Sequence, residues 1–176
     1  MSNSLILGNI RVEEAREKLR SWLGEERLSP EEVQNPGAYF TFKINVYGTI
    51  MFVVQSTQFV DSCSISASFD LTGEKDQRIL QAMDAKKRTD FLRELSLALL
   101  SNNGIWYHLI RPNPPSEMRV FELASRRIYY ETMTKEKVMN AVLDVRNASG
   151  IFTCLFERYS APMNVPRQEV RASFIG

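Results

Sequence analysis

Few residues in this chain have types that could do covalent chemistry. Among 176 residues there is one histidine, His108, and two cysteines, Cys63 and Cys154. A cysteine nucleophile needs a neighbouring base, so His108 with Cys63 or Cys154 is the one thiol–imidazole pair to consider. His108 falls in Ile-Trp-Tyr-His-Leu-Ile-Arg, residues 105–111, which reads as a strand, on the same strand face as Trp106 and Ile110. Cys63 falls on the apolar side of another strand pattern, the setting of an inert thiol. Both therefore read as structural. The cysteines have no CxxC spacing, and one histidine does not complete a zinc set. Two reduced thiols in a cytoplasmic protein are expected.

Paired carboxylates are no stronger as a signal. Glu13/Glu14, Glu25/Glu26 and Glu31/Glu32 occur where helices or turns are expected, and solvation explains them. Asp61, Asp70, Asp76, Asp84, Asp90 and Asp144 form no DxD-type metal loop. The chain contains no GxGxxG, Walker A, GxSxG or HExxH pattern. The expectation is a protein that is not an enzyme, with no catalytic, cofactor-binding or metal-binding residues.

Two basic clusters remain, Lys86-Lys87-Arg88 and Arg126-Arg127, with Arg111 and Arg119 nearby in sequence and Tyr107, Tyr129 and Tyr130 interleaved. Cations and rings on a sheet can neutralise and stack single-stranded nucleic acid, which makes this one alternative functional reading, an enzyme without a recognisable motif being the other. The overall charge speaks against nucleic acid: 22 basic and 21 acidic residues leave a net +1, which steers no polyanion.

The elements that would position these residues follow from periodicity. Val12, Ala15, Leu19, Trp22 and Leu23 share one side of a helix expected from Ile10 to Leu23, stopped at Gly24. Ser29-Pro30-Glu31-Glu32 has a helix-start pattern and predicts a short helical turn before Asn35-Pro36-Gly37. Three strands follow. Phe40, Phe42, Ile44 and Val46 alternate with polar residues up to a tight turn at Tyr47-Gly48. Ile50, Phe52 and Val54 then alternate with Met51, Val53 and Gln55; here the second set, with Tyr39, is assigned to the second face. Cys63, Ile65, Ala67, Phe69 and Leu71 alternate with serines and Asp70, so a solvated serine face is expected. Helices capped by Thr72 and Asp84 are predicted over 73–83 and 85–102, ended by Asn102-Asn103-Gly104. Pro112-Asn113-Pro114-Pro115-Ser116 makes a rigid loop. Residues 118–131 give one long strand or two, broken near Ser125-Arg126. Thr134 caps a last helix to about Arg158, with a seam of Val138, Val142, Val145, Ser149, Phe152 and Phe156 that Gly150 interrupts. Residues 161–176 read as an irregular tail. No apolar run approaches the ~20 residues of a membrane helix, and the N-terminus lacks a signal-peptide pattern.

The fold class is thus α+β, in one domain over 1–176. About five antiparallel strands, three in a meander and then two, are packed by helices in the order α-βββ-α(α)-ββ-α. Within it, Asp90–Leu100 is so apolar that its helix is expected to be central and buried.

That element order, with the block of residues 71–110, resembles the type III secretion chaperone-like fold. Phe91-Leu92, Leu95 and Leu99-Leu100, followed by a strand, also resemble the corresponding block of a prokaryotic, largely archaeal family of unknown function that shares this fold. The resemblance implies a homodimer, or a domain that holds a peptide on its sheet or helix faces, and it brings no catalytic residues. The expected function is a non-enzymatic, chaperone-like protein- or peptide-binding module. Its expected partners are a second copy and another protein or a peptide, with neither nucleic acid nor membrane. Trp22, Phe156, Phe174 and Ile175 are the expected partner interface, and an edge strand is expected to accept a peptide strand.

Overall fold

The computed structural model describes the backbone of residues 2–71, 73, 83–100, 105–110 and 120–160, and the side chains within 11–71, 73, 83–100, 105–107 and 121–160. All but the two end residues of the predicted helix over 73–83, the 112–116 loop, the 102–104 stop and the tail lie outside these residues.

Helix α1 (Ser2–Glu25) precedes strands β1 (Glu31–Glu32), β2 (Ala38–Val46), β3 (Thr49–Ser56) and β4 (Ser62–Asp70). Helix α2 (Ala85–Leu100), β5 (Ile105–Ile110), β6 (Val120–Ser125), β7 (Ile128–Tyr129), a 3-10 turn (Tyr130–Thr132) and α3 (Lys135–Ser160) follow. The strands form one antiparallel sheet of order β1-β2-β3-β4-β6-β5, with β7 also on β4. The class is α+β as expected, with seven strands among the described residues rather than about five.

Two of the additional strands have identifiable causes. The first is β1, where a helical turn was expected. Ser29 takes φ 45°, outside the extended conformation of an N-cap. Glu32, expected as the acidic residue of a helix start, instead reaches α1. It accepts hydrogen bonds from Arg16 Nη2 at 2.7 and 2.8 Å and is paired with Arg20. That tie lays Glu31 and Glu32 along Lys43 and Phe42 of β2. Helix α1 is closed not by Gly24 but by Arg27, at φ 60°, where Leu28 N–H donates to the Leu23 carbonyl at 3.0 Å.

The second is β7, split from β6 at Arg126-Arg127, the break anticipated near Ser125. Strand β4 passes from β7, at Ser62 and Cys63, to β6, at Ser66 onward. Between them the Ser125 hydroxyl accepts from Ile65 N–H at 3.0 Å and donates to the Arg126 carbonyl at 2.9 Å. A side chain thus fills the gap in the ladder.

Register decides the faces. Tyr47 and Gly48 both have positive φ (50° and 85°), which fits the primed turn of a two-residue hairpin loop. Val46 then stands opposite Thr49, Ile44 opposite Met51 and Phe42 opposite Val53. Residues opposite each other share a face, so Met51 and Val53 join the core and are fully buried. Ile50, Phe52 and Val54 turn to the other face, which reverses the assignment made from alternation alone. The serine face of β4 is also less solvated than expected. Ser62 and Ser66 are buried, because β4 is an interior strand and small side chains lie below their larger neighbours.

All three helices pack on the Met51/Val53 face. One cluster joins Leu19 and Leu23 of α1, Phe42, Met51, Val53 and Ile65 of the sheet, and Val138, Val142 and Val145 of α3. A second joins Phe91, Leu95 and Leu99 of α2, Phe121 and Leu123 of β6, and Phe152, Leu155 and Phe156 of α3. Helix α3 runs through both, so it is the central helix, and all six positions of its seam are buried. Thr134 Oγ1 accepts from Lys137 N–H at 3.2 Å, and Asp84 Oδ1 from Lys87 N–H at 2.8 Å, as the predicted caps require. Helix α2 is one-sided instead: Leu97 is 60% and Leu100 79% exposed. Its outer end is tied to α3 through Glu94, which is paired with Arg158 and accepts from Tyr159 Oη at 2.9 Å.

Gly150 makes no close approach, since a Cβ there meets nothing within 4 Å. Gly150→Ala is therefore expected to raise stability by about 0.5–1 kcal/mol, the helix-interior cost of glycine. The midpoint of urea unfolding reads this, and a lower midpoint would show that α3 needs the glycine.

Candidate functional site

The sheet face turned away from the helices is built from the residues displaced by the hairpin register. One row crosses five strands through Lys43, Phe52, Ser66, Ala124 and Trp106, each opposite the next. The neighbouring row is Thr41, Val54 and Ser64. Phe52 and Val54 on β3, and Trp106 on β5, stand as walls on either side of a floor of Ser64, Ser66 and Ala124. Trp106 is 65% exposed. The result is a trough along β4 and β6, and the groove at its Trp106 side has a volume of about 780 Å³. Ser56, Phe59, Glu122, Arg126 and Arg127 line it as well. Arg127 lies over the Phe59 ring, with its guanidinium carbon 3.1 Å from the centroid.

A second exposed apolar feature lies at the β5 end of the sheet. Ser96 Oγ meets Tyr107 Oη at 2.7 Å, which places Ser96 of α2 above β5. At about 100° per residue, Leu95 and Leu99 fall to one side of Ser96, over the core, and Leu97 and Leu100 to the other. Those two leucines therefore lie on the side of α2 beyond β5, the last strand of the sheet among the described residues.

A smaller cavity of about 350 Å³ lies between Arg11, Asp61, Tyr130 and Thr132. The Tyr130 hydroxyl is buried without a hydrogen-bond partner among the described residues, and burial first, then the nearness of Cys63 and Asp61, pushes the phenol well above its ordinary range. Among the described residues no three His, Cys, Asp or Glu side chains converge as metal ligands, and no helix is long and apolar enough to cross a membrane.

The residues singled out from the sequence distribute as follows. Trp22 is half-buried against the first core cluster. Phe156 is 9% exposed, its ring 5.8 Å from Phe152 and 6.2 Å from Phe91, so it is occupied inside the fold. Phe174 and Ile175 lie outside the described residues, as do the side chain of His108 and both Arg111 and Arg119. Lys86, Lys87 and Arg88 open α2, whereas Arg126 and Arg127 sit at the break between β6 and β7, where they line the groove and also border a cavity against Lys137, Asn140 and Asp144 of α3. The structure does not bring the two basic clusters onto one surface. Ile50, Phe52, Val54, Trp106, Leu97 and Leu100 were not singled out. The two-residue loop at Tyr47-Gly48 carried the signal for the first three, because it sets which side chains of β3 face Ile44.

Both cysteines are free. Cys63 is buried, and burial pushes its thiol up to about 12; Cys154 is exposed on α3. A thiol reagent at neutral pH is expected to titrate Cys154 alone in the native protein and both after unfolding. Labelling of Cys63 in the native state would contradict its burial.

The family model described as "Uncharacterized conserved protein (DUF2299)" matches residues 15–156. No curated protein matches this chain. Among solved structures, an uncharacterized protein from Methanothermobacter thermautotrophicus aligns with a TM-score of 0.69 at 18% identity, over 83% of this chain and 99% of that one. That similarity shows a common fold. YbjN from E. coli aligns with a TM-score of 0.45 at 12% identity, over 80% of this chain and 88% of YbjN.

Proposed function

The chain belongs to the DUF2299 family of uncharacterized conserved proteins, and within it we propose a non-enzymatic, cytoplasmic protein-binding module. It self-associates through β5 and takes a segment of a partner protein on the open sheet face. The observation that carries this reading is the one-sided placement of the helices. It leaves half-buried Phe52 and Val54 and exposed Trp106 on one face, and exposed Leu97 and Leu100 beside an edge strand, without a covering element among the described residues. Exposed apolar surface gathered into one place, rather than scattered, marks a protein interface.

The second copy is argued from the edge itself. Strand β5, Ile-Trp-Tyr-His-Leu-Ile, has no proline and no formal charge, the devices that keep an edge from pairing. Two β5 strands pair antiparallel about a two-fold axis, and that symmetry sets the α2 helices side by side, so that Leu97 and Leu100 of each cover the other's. The opposite edge is blunted: β1 has only two residues, both glutamates, Glu31 paired with Lys43 and Glu32 with Arg16 and Arg20. Light scattering at micromolar concentration tests the dimer. The mass of two chains is expected, and the mass of one would remove this part of the reading.

A further inference from the structure

We propose that the trough receives an amphipathic helix of a partner protein, seated with its N-terminus at Glu122 and its C-terminus at Arg126 and Arg127. This rests on the open face being a protein-binding surface and specifies what it binds.

The first argument is backbone chemistry. Strand N–H and C=O groups point along the sheet, not out of its face. An extended segment laid on that face leaves its own polar groups unpaired and buried, which costs the price of a lost hydrogen bond at each one. A helix satisfies its backbone internally and buries only side chains.

The second is width. The walls on β3 and β5 are separated by three strand spacings, about 14 Å. A helix with its side chains is about 10–12 Å across. Because Ser64, Ser66 and Ala124 are small, the apolar stripe of such a helix can reach the floor between Phe52 and Trp106.

The third is charge, which sets direction. Arg126 follows Ser125, the last residue of β6, and is four residues on from Glu122, so the two lie at most about 13 Å apart, close to nine residues of helix. Glu122, Arg126 and Arg127 all line the groove, and none has an ion pair among the described residues. The positive end of a helix dipole favours Glu122, and the negative end favours the arginines. A helix running parallel to β6 meets both preferences, and the reverse orientation meets neither.

The probe is a nine-residue amphipathic peptide of leucine, alanine and glutamine, capped at both termini, with a nitroxide on its last residue. Trp22→Phe protein is used, so that Trp106 alone reports binding by a blue shift of its fluorescence. The spin label is expected to broaden amides of residues 125–129 more strongly than those of 120–122. Arg126→Gln with Arg127→Gln is expected to weaken binding roughly 3- to 30-fold. The charge-swapped protein, with Glu122→Arg, Arg126→Glu and Arg127→Glu, is expected to move the broadening to 120–122. Binding with both ends broadened equally, or with the peptide not helical by circular dichroism, overturns this proposal and leaves the protein-binding reading standing. No binding at millimolar peptide, or a Trp106 emission already blue and insensitive because the chain covers its own trough, counts against both.

Discussion

Phe152→Ala is expected to destabilise the fold by about 3–5 kcal/mol, the upper range for removing a buried aromatic side chain. Phe152 is the hub of the second core cluster. Its ring centroid lies 4.4 Å from those of Phe69 and Phe121, 5.8 Å from that of Phe156 and 6.2 Å from that of Phe91. These rings come from β4, β6, α2 and α3 itself, so the vacated volume has walls on four elements and closes poorly. Each aromatic pair adds roughly 0.5–1.5 kcal/mol beyond its buried area. Denaturant unfolding monitored by circular dichroism reads the loss. Phe152→Leu, which keeps most of the volume, is expected to cost clearly less. A loss under about 1 kcal/mol for the alanine variant would mean that α3 does not seat as described.

Leu97→Lys with Leu100→Lys is expected to convert a dimer into a monomer that stays folded. The leucines are 60% and 79% exposed, so their replacement costs the isolated chain little. In a two-fold dimer each substitution counts twice, and four leucines leave the interface. At about 1.5 kcal/mol for each buried leucine, the lost burial is about 6 kcal/mol, a weakening of at least 1,000-fold. Light scattering reads the change in mass, and unchanged circular dichroism excludes misfolding. A variant that remains dimeric would place the interface elsewhere.

How much was legible in the sequence depended on how local the deciding interaction is. The seam of α3 is a single-element pattern, and every position read from Val138 to Phe156 is buried. The caps at Asp84 and Thr134 are local in the same sense. The faces of β3 were not, because Ile50, Phe52 and Val54 are as apolar as Met51 and Val53, and alternation has two equal solutions. Only the pairing with β2 across Tyr47-Gly48 breaks the tie. Glu31 and Glu32 carried a sound helix-start signal, overridden by Arg16 and Arg20 on α1, which no local window contains. Helix α2 was misread for a physical reason as well. Apolar residues round most of a helix were taken to mean burial on all sides, and Leu97 and Leu100 instead face outward past the sheet edge. The surplus leucine content that pointed to a core is what now identifies the surface proposed for a second copy.

Amide hydrogen exchange along β5 tests this account most directly, comparing the native chain with Leu97→Lys/Leu100→Lys at one protein concentration. The account predicts that β5 amides pointing away from β6 exchange slowly in the native chain and much faster in the variant, with β3 and β4 unchanged. Equal exchange along β5 in the two proteins would contradict it.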